Sequence, residues 1–572
     1  MNKSKTRVRR PVCSVQDALQ MGLFSDGCAV PGSTPGSRRS TGIVGFIDPS
    51  PFTLTIGALS LEEYLSSMGL EWVFRVRQLL REQDWVPFES AYKLSGRRPY
   101  APAVMVGLVL YGVMEGKSSL RELEQLAKKD VGAMWLTGGS CPDHTTLCRF
   151  LQLHSERLTT DFFEGLTRSV LKASKSRSRV FSGDGTVVEA AASRFSRLKH
   201  EAALAQAKEA RKRANEKPND RKRQEVAARK EVVATAAETR ASKRKGRGAS
   251  GAATQVCPSE PEAAVLKTKR GVCLPGYVPS LIVSSDRLIV AQHVDSVSEQ
   301  ASLPPMVNQM KRVVDPLGTE KELTLLLDGG YHCGPTAQLG VEEELNLLCP
   351  SPAKFKKKEK FRKEDFRYDE ARNVYICPQG QLLRTTGRAQ RDKRRNIDYL
   401  SYRCSIPICR ACPVRDRCIP SEKTPRRTIT RFEHDEAREA LVEVMKQPRA
   451  KALYAHRKGM VEPVFGELRQ VQNLGKFRRF GIIGARLEFA LHACAHNLRR
   501  FVLWGAAARR RLGAHFFFFF VLCGIQRASQ LAPERPHRRH RPPKPQNTPL
   551  RRPPTRPLLG HPNFRTHLPL VA

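Results

Sequence analysis

Two aspartates in this chain stand where a strand-like stretch ends and a glycine follows. Asp184 lies in "VFSGDGT", and Asp328 closes the apolar run "LTLLLDGGY". Ligands of open α/β sheets collect at the carboxyl ends of strands, and a glycine there leaves room for a substrate backbone. Two such acids in neighbouring strands would repel each other unless a cation lies between them. Because Mg²⁺ prefers oxygen ligands and keeps positions open for phosphate oxygens, the pair predicts a magnesium site.

A third acid comes from the segment "YAHRKGMVEPVFGELRQ". Proline is accepted in a helix only within its first turn, so Pro463 predicts a helix that begins close to Glu462. Glu462 and Arg469 are seven residues apart, so they would project to nearly the same side of that helix. Glu467 is the rival carboxylate, and its position predicts that it points elsewhere, into solvent.

A group of cysteines forms a second candidate metal site. The cysteines between residues 377 and 418 are Cys377, Cys404, Cys409, Cys412 and Cys418. Four thiolates around a tetrahedral Zn²⁺ fit this spacing, with Cys404 as the spare thiol. The predicted structural zinc ligands are therefore Cys377, Cys409, Cys412 and Cys418. The alternative is a set of reduced, unpaired thiols, because the first of these ligands lies 32 residues from the next.

The elements that must position these residues follow from periodicity and composition. Apolar spacing predicts an N-terminal helical region with a buried helix at 100–114 and helices capped by Ser119 and Asp143. The predicted divisions are a flexible leader at 1–58, a helical domain at 59–172, an α/β domain at 173–504 and a disordered, basic, proline-rich tail at 505–572. Within the α/β domain, the composition predicts a charged helical insertion at 199–250 and a Cys-rich insertion at 370–425. The tail is either a basic arm for DNA or a frameshifted C-terminus without a selected role.

The charge balance indicates a polyanionic partner. Lys and Arg number 98 against 56 Asp and Glu, which gives a formal net charge of +42. Such an excess favours nucleic acid, although a ribosome-like or membrane-surface protein would also be basic. No run of 18 apolar residues is present, so the sequence predicts no membrane span and an intracellular, cytoplasmic protein.

In combination, these motifs resemble the DDE transposases of bacterial insertion sequences. The resemblance extends over about residues 60–504 and includes "GRRPYAPAVMVGLVLYG", "PDHTTLCRF", "DGGY" and "YAHR…VEPVFGELR". It implies that 59–172 is a DNA-binding or dimerisation domain and that 173–504 is an RNase H-like catalytic domain with a mixed sheet. The first two acids of that domain lie on strands and the last lies on a helix. By position, the three acids of the family correspond to Asp184, Asp328 and Glu462.

The resemblance also assigns supporting residues and shows two departures. The Tyr–Arg–Glu–Lys signature of the family corresponds to Tyr454, Arg457, Glu462 and Arg469. Arg469 replaces the usual lysine with a forked donor. Val278 stands where the family carries asparagine, and Pro279 beyond it would remove a strand hydrogen bond unless it lies at a sheet edge. For Arg457 and Arg469, the alternative to a DNA contact is simple surface solubility.

The implied activity is cutting and joining of DNA with two Mg²⁺ ions, for which Mn²⁺ can substitute. Asp184 and Asp328 would hold the metals, and Glu462 would complete the cage. Tyr454, Arg457 and Arg469 would position phosphates or flanking DNA. The implied partners are double-stranded DNA, as terminal inverted repeats and target, and further copies of the chain, at least a dimer, on the prokaryotic nucleoid. The alternatives are a catalytically inactive DNA-binding relic and an RNase H-like nuclease.

Overall fold

The computed structural model describes residues 45–503, apart from 94–95, 246–253, 269–270, 319–321, 353–360, 393–396, 420 and 422. The predicted tail at 505–572 and the first 44 residues of the predicted leader lie outside the described residues. Among the helices of the described part, none is long and apolar enough to cross a membrane.

The first part of the described chain is a set of packed helices preceded by a short hairpin. The elements are β1 (Thr55–Ile56), β2 (Leu59–Ser60), α1 (Leu61–Ser67), α2 (Trp72–Arg81), α3 (Val86–Glu89), α4 (Pro102–Met114), α5 (Leu120–Lys129), α6 (Val131–Thr137), α7 (His144–Leu153), α8 (Ser155–Thr159) and α9 (Asp161–Ala173). Helix α4 is buried along its whole length because it contains no charged residue. Ser119 caps α5 in a reciprocal box with Glu122, and Asp143 caps α7. The buried helix and both predicted caps are therefore confirmed.

The strands that follow build a mixed sheet. They are β3 (Val180–Gly185), β4 (Val188–Glu189), β5 (Leu198–Lys199), β6 (Gln255–Val256), β7 (Ala264–Lys267), β8 (Cys273–Ser284), β9 (Ile289–Asp295), β10 (Thr324–Leu326) and β11 (Asn346–Leu348). The central order is β11-β10-β3-β8, and β9, β4 and β7 also pair with β8. Strand β10 is parallel to β3 and β11, whereas β8 is antiparallel to β3 and β9. The mixed α/β class is confirmed, and the arrangement is the one expected of an RNase H-like sheet.

The register of the two central strands aligns the two aspartates. Thr324 is opposite Val180, and Leu326 is opposite Ser182. Asp328 and Asp184 each lie two residues beyond the last of these pairs. Because parallel strands advance together, this register carries both acids to the same end of the sheet.

A charged helical hairpin follows β5. It consists of α10 (His200–Glu216) and α11 (Arg221–Lys245), which pack through a small core that includes Ala203 and Ala237. The outer residues pair within the hairpin, as Glu231 does with Arg211. These contacts are those of an exposed, salt-bridged helix pair.

The remaining elements comprise two helices on the main sheet, a separate small sheet and the C-terminal helices. They are α12 (Glu299–Val314), α13 (Gly334–Glu342), β12 (Arg367–Asp369), β13 (Val374–Ile376), β14 (Leu382–Thr385), β15 (Gln390–Asp392), β16 (Ile397–Arg403), α14 (Ile406–Arg410), α15 (Arg415–Cys418), β17 (Thr428–Phe432), α16 (Asp435–Val444), α17 (Pro448–Ala455), α18 (Arg457–Gln470) and a final helix over residues 481–503. The N-terminal helices, the main sheet and the C-terminal helices share one hydrophobic core. The small sheet has a core of its own.

Pro279 does not lie at a sheet edge, so it removes a strand hydrogen bond, as the sequence predicts for that case. It lies within β8, opposite Val294 of β9, at the point where β3 has ended and β4 has not begun. Thr186 N donates to Pro279 O at 2.9 Å. The reciprocal bond would need the N–H that proline lacks, so the sheet loses a single ladder bond in this gap between two strands.

Candidate active site

One buried guanidinium joins the two strand-end aspartates. Arg457 Nη2 lies 3.3 Å from Asp184 Oδ2 and 3.9 Å from Asp328 Oδ2. The distance between the two carboxylate oxygens therefore cannot exceed the sum of these two distances. Arg457 is only 5% exposed, so the interpretation of this residue as a surface solubility group is wrong. The arginine supplies the positive charge that two neighbouring carboxylates require.

Backbone groups hold both aspartates in orientation. Asp184 Oδ1 accepts from Gly185 N at 2.9 Å, and Asp328 Oδ1 accepts from Gly330 N at 2.7 Å. Behind the second acid, the Cys349 thiol donates to the Asp328 carbonyl at 3.0 Å. Burial, followed by the charge of Asp328, raises the pKa of Cys349 to about 12, so this thiol stays protonated as a donor.

Tyr454 lies beside the same pair of acids. Its side chain is half-buried, and burial is the main cause that raises the pKa of its hydroxyl. The charges of Arg457, Asp328 and Asp184 also act on this hydroxyl. The end of α17 and the start of α18 therefore bring a tyrosine and an arginine to the carboxyl end of β3.

The helix that carries Glu462 begins earlier than the proline predicts. Helix α18 starts at Arg457, and Pro463 lies inside it. A proline in this position frees the carbonyl four residues before it, which belongs to Gly459. Arg287 Nε donates to that carbonyl at 3.0 Å from the turn between β8 and β9. A tertiary hydrogen bond thus replaces the missing helical one, which the sequence around Pro463 could not reveal.

Contacts along α18 indicate the direction of Glu462, whose side chain is exposed. Arg469, on the same side of the helix, donates a hydrogen bond to Thr186 Oγ1, two residues beyond Asp184. Since Glu462 and Arg469 share a face, Glu462 projects toward the segment that follows β3.

Glu467 does not point into solvent, so that expectation is wrong. Its side chain is 19% exposed and faces the helix over 481–503. Glu467 Oε1 lies 3.4 Å from His496 Nδ1 and 3.3 Å from Arg499 Nε. Burial alone would raise its pKa, but the interactions with His496 and Arg499 outweigh this and lower it. Glu467 therefore has a structural role, and it lies on a different face of α18 from Glu462.

The carboxylates of Asp184 and Asp328 are chemically suitable ligands for a divalent cation, although they are not arranged as a complete metal site. Within the described residues, no group of three or more His, Cys, Asp or Glu side chains is arranged as a metal site. Arg457 takes the cationic position between the carboxylates instead. Two hard oxygen donors held at adjacent strand ends, next to a cation, are suited to Mg²⁺ and to phosphate oxygens.

The space beside Gly185 is filled, which the sequence analysis did not anticipate. A Cβ on Gly185 would lie 2.5 Å from Glu299 Cγ and 2.8 Å from Ser280 Oγ. The glycine after Asp184 therefore makes room for a glutamate of the protein itself. The signal in the sequence was weak, because an acid after Ser298 at a helix start is common for electrostatic reasons alone.

The five clustered cysteines lie in and around the small sheet. Cys404 and Cys409 belong to its core, and Cys377 and Cys418 pack against it. Cys377 occupies a knuckle-like turn, in which Gln381 N donates to its sulfur at 3.2 Å. Burial, followed by the neighbouring Cys409 and Cys377 thiols, raises the pKa of Cys404 to about 12. Cys404 thus lies beside two of the four predicted ligands.

Two family models match the chain. Residues 376–502 match a transposase DDE domain, and residues 72–153 match a transposase domain. The first match includes Glu462 and the C-terminal helices but neither aspartate, and the second lies within the N-terminal helices. No curated protein matches the chain.

Proposed function

Because the chain belongs to the DDE transposases of insertion elements, we propose that it cuts DNA at the ends of its own element and joins them to a target. The observation that supports this proposal is the pair formed by Asp184 and Asp328, aligned by the register of β3 and β10 and bridged by Arg457. A structural acid pair would not need to be aligned at strand ends where ligands collect.

We assign roles from these positions. Asp184 and Asp328 would hold divalent ions through carboxylate oxygens, and Glu462 would complete the ligand set from α18. When bound, two Mg²⁺ ions would activate the attacking oxygen and stabilise the leaving oxygen of a phosphodiester. Arg457 and Arg469 orient phosphate oxygens with forked donors, and Tyr454 donates its hydroxyl to the same backbone.

The proposed partner is double-stranded DNA, as terminal inverted repeats and as target. The net charge of +42 supports binding to its phosphates. Since joining requires two DNA ends, we propose that at least two copies of the chain act together on the nucleoid.

We also propose that the small sheet binds a structural Zn²⁺ through Cys377, Cys409, Cys412 and Cys418. The shared core and the knuckle turn at Cys377 support it, and zinc would stabilise thiolates that burial disfavours. Elemental analysis of purified protein should find about one zinc per chain, lost in Cys412→Ser and retained in the control Cys141→Ser. Absence of zinc from the unaltered protein contradicts this assignment.

The activity is tested with the full chain and DNA that carries the repeats flanking its gene. Strand cleavage should occur at the repeat ends with Mg²⁺ or Mn²⁺ and fall by well over ~100-fold in Asp184→Asn. The matched control is Glu342→Gln, an exposed acid on α13. Cleavage that survives Asp184→Asn contradicts the assignment, and binding without cleavage in the unaltered protein identifies an inactive DNA-binding relative.

A further inference from the structure

The first residue of α12 lies against the carboxyl end of β3. Helix α12 starts at Glu299, after the cap residue Ser298. Asp295 Oδ1 accepts from Val297 N and from Ser298 N, each at 2.7 Å, which fixes the entry into the helix. Gln300 Nε2 donates to the Gly330 carbonyl at 2.7 Å, in the turn that also holds Asp328. The start of α12 is therefore tied to the segment that carries the second aspartate.

The backbone next to the first aspartate is shaped around Glu299. A Cβ at position 185 would lie 2.5 Å from Glu299 Cγ and 2.8 Å from Glu299 Cδ, both too close for any side chain. Position 185 pairs with Ser280 within a regular strand, so the backbone there does not itself require glycine. Glycine is needed at this position because the glutamate passes over the strand beside Asp184.

Two buried hydroxyls lie in the same pocket. Ser280 and Tyr331 are both fully buried, and their hydroxyls interact with each other without forming a hydrogen bond of regular geometry. Burial raises the pKa of Tyr331, and the charges of Glu299, Asp184 and Asp328 raise it further. Buried polar atoms without a regular hydrogen bond, next to carboxylates, are typical of a place where a further ligand belongs.

An acid in the first turn of a helix has an ordinary explanation, because it interacts favourably with the helix dipole. That explanation does not account for a strand glycine that makes room for the acid, nor for the two buried hydroxyls without a regular hydrogen bond. We infer that Glu299 is a fourth carboxylate of the metal site, which supplies an oxygen to a divalent ion held with Asp184 and Asp328. This inference rests on the proposed function.

The inference is tested by metal dependence measured on the full chain. In Glu299→Gln, the Mg²⁺ concentration for half-maximal cleavage should rise by about tenfold, with Mn²⁺ affinity in calorimetry falling to match. Glu299→Asp should recover part of this loss, and the exposed Glu342→Gln should leave both values unchanged. Gly185→Ala should weaken metal binding in the same direction, because its methyl group displaces Glu299 while Asp184 remains.

The outcomes separate this inference from the proposed function. If Glu299→Gln leaves metal affinity unchanged while Asp184→Asn weakens it, Glu299 is not a ligand and the transposase site stands. If neither variant alters metal affinity or cleavage, the proposed function fails as well. Thermal unfolding of each variant in EDTA shows whether a loss comes from misfolding, and a loss that tracks unfolding contradicts the role of Glu299.

Discussion

The acids on strands and the acid on a helix are held in place by different means. Backbone hydrogen bonds between β3 and β10 fix the relative positions of Asp184 and Asp328. Glu462 depends instead on side-chain contacts of α18, such as Arg287 with Gly459 and Arg469 with Thr186. A sheet ladder allows no sliding without breaking every bond, whereas a packed helix can shift as its side chains rearrange. The site therefore joins a rigid half to an adjustable half.

Lengthening the rigid acids should have the largest effect. Asp184→Glu or Asp328→Glu moves a carboxylate by about 1 Å or more with no freedom in the strand to compensate, so cleavage should fall by at least ~10²-fold. Glu462→Asp should lose less, because α18 can move toward the site. Rates of strand cleavage at saturating Mg²⁺ make the comparison. Equal losses in all three variants contradict the distinction between a rigid and an adjustable half.

Substitutions of the two glutamates of α18 should have different effects, one on cleavage and the other on stability. Glu462→Gln should abolish most cleavage and leave stability within about 0.5 kcal/mol, because its side chain is exposed. Glu467→Gln removes the charge that faces His496 and Arg499, so it should cost about 1–3 kcal/mol of stability. Urea denaturation and cleavage rates on the same samples separate the two. A Glu467→Gln variant that is stable but does not cleave DNA would contradict the structural role assigned to Glu467.

Mild acid should destabilise the folded chain through three histidines, which lie in both halves of the molecule. In the folded protein, burial and the charges of Arg479 and Arg478 lower the pKa of His492, in the helix over 481–503, to about 3. Burial, followed by Arg486, lowers the pKa of His293 on β9 to about 4, and burial, followed by Arg157, lowers the pKa of His154 to about 4. All three values lie below that of the unfolded chain, so protons bind preferentially to the unfolded state. The stability that these histidines contribute is complete above about pH 6.5 and is lost as the pH falls toward their folded values.

Between pH 6.5 and 5, the free energy of unfolding should fall by about 3–5 kcal/mol. His492→Gln should reduce this pH dependence, because it removes one of the three groups. Urea denaturation at each pH gives the measurement, and an unchanged pH dependence in His492→Gln contradicts the role of this histidine.

The smallest effect should come from the bond that accommodates Pro463. Arg287→Ala frees the Gly459 carbonyl, so cleavage should slow by about three- to tenfold, the value of one hydrogen bond. In a Pro463→Ala background, the new N–H can donate to Gly459, and the same substitution should then matter less. Arg500→Ala is the matched control, since Arg500 donates to Asp286 O in the same turn. No coupling between positions 287 and 463 contradicts the role of this bond.

Local chemistry made several features predictable. The caps at Ser119 and Asp143 depend on residues within a few positions of each other. The mixed sheet was implied by the resemblance to the DDE transposases. The expectations for Pro463 and Glu467 were wrong because the groups that accommodate these residues come from distant parts of the chain.

The sequence by itself determined the residue types of the site, two aspartates at strand ends and a glutamate in a helix, because strand and helix periodicity are local properties. Only the tertiary structure decided which groups surround them. The burial of Arg457 between the aspartates, the bond from Arg287 to Gly459 and the passage of Glu299 over Gly185 each join segments far apart in the chain. Such contacts are selected by the packing of the whole core, so no window of the sequence contains the information that specifies them.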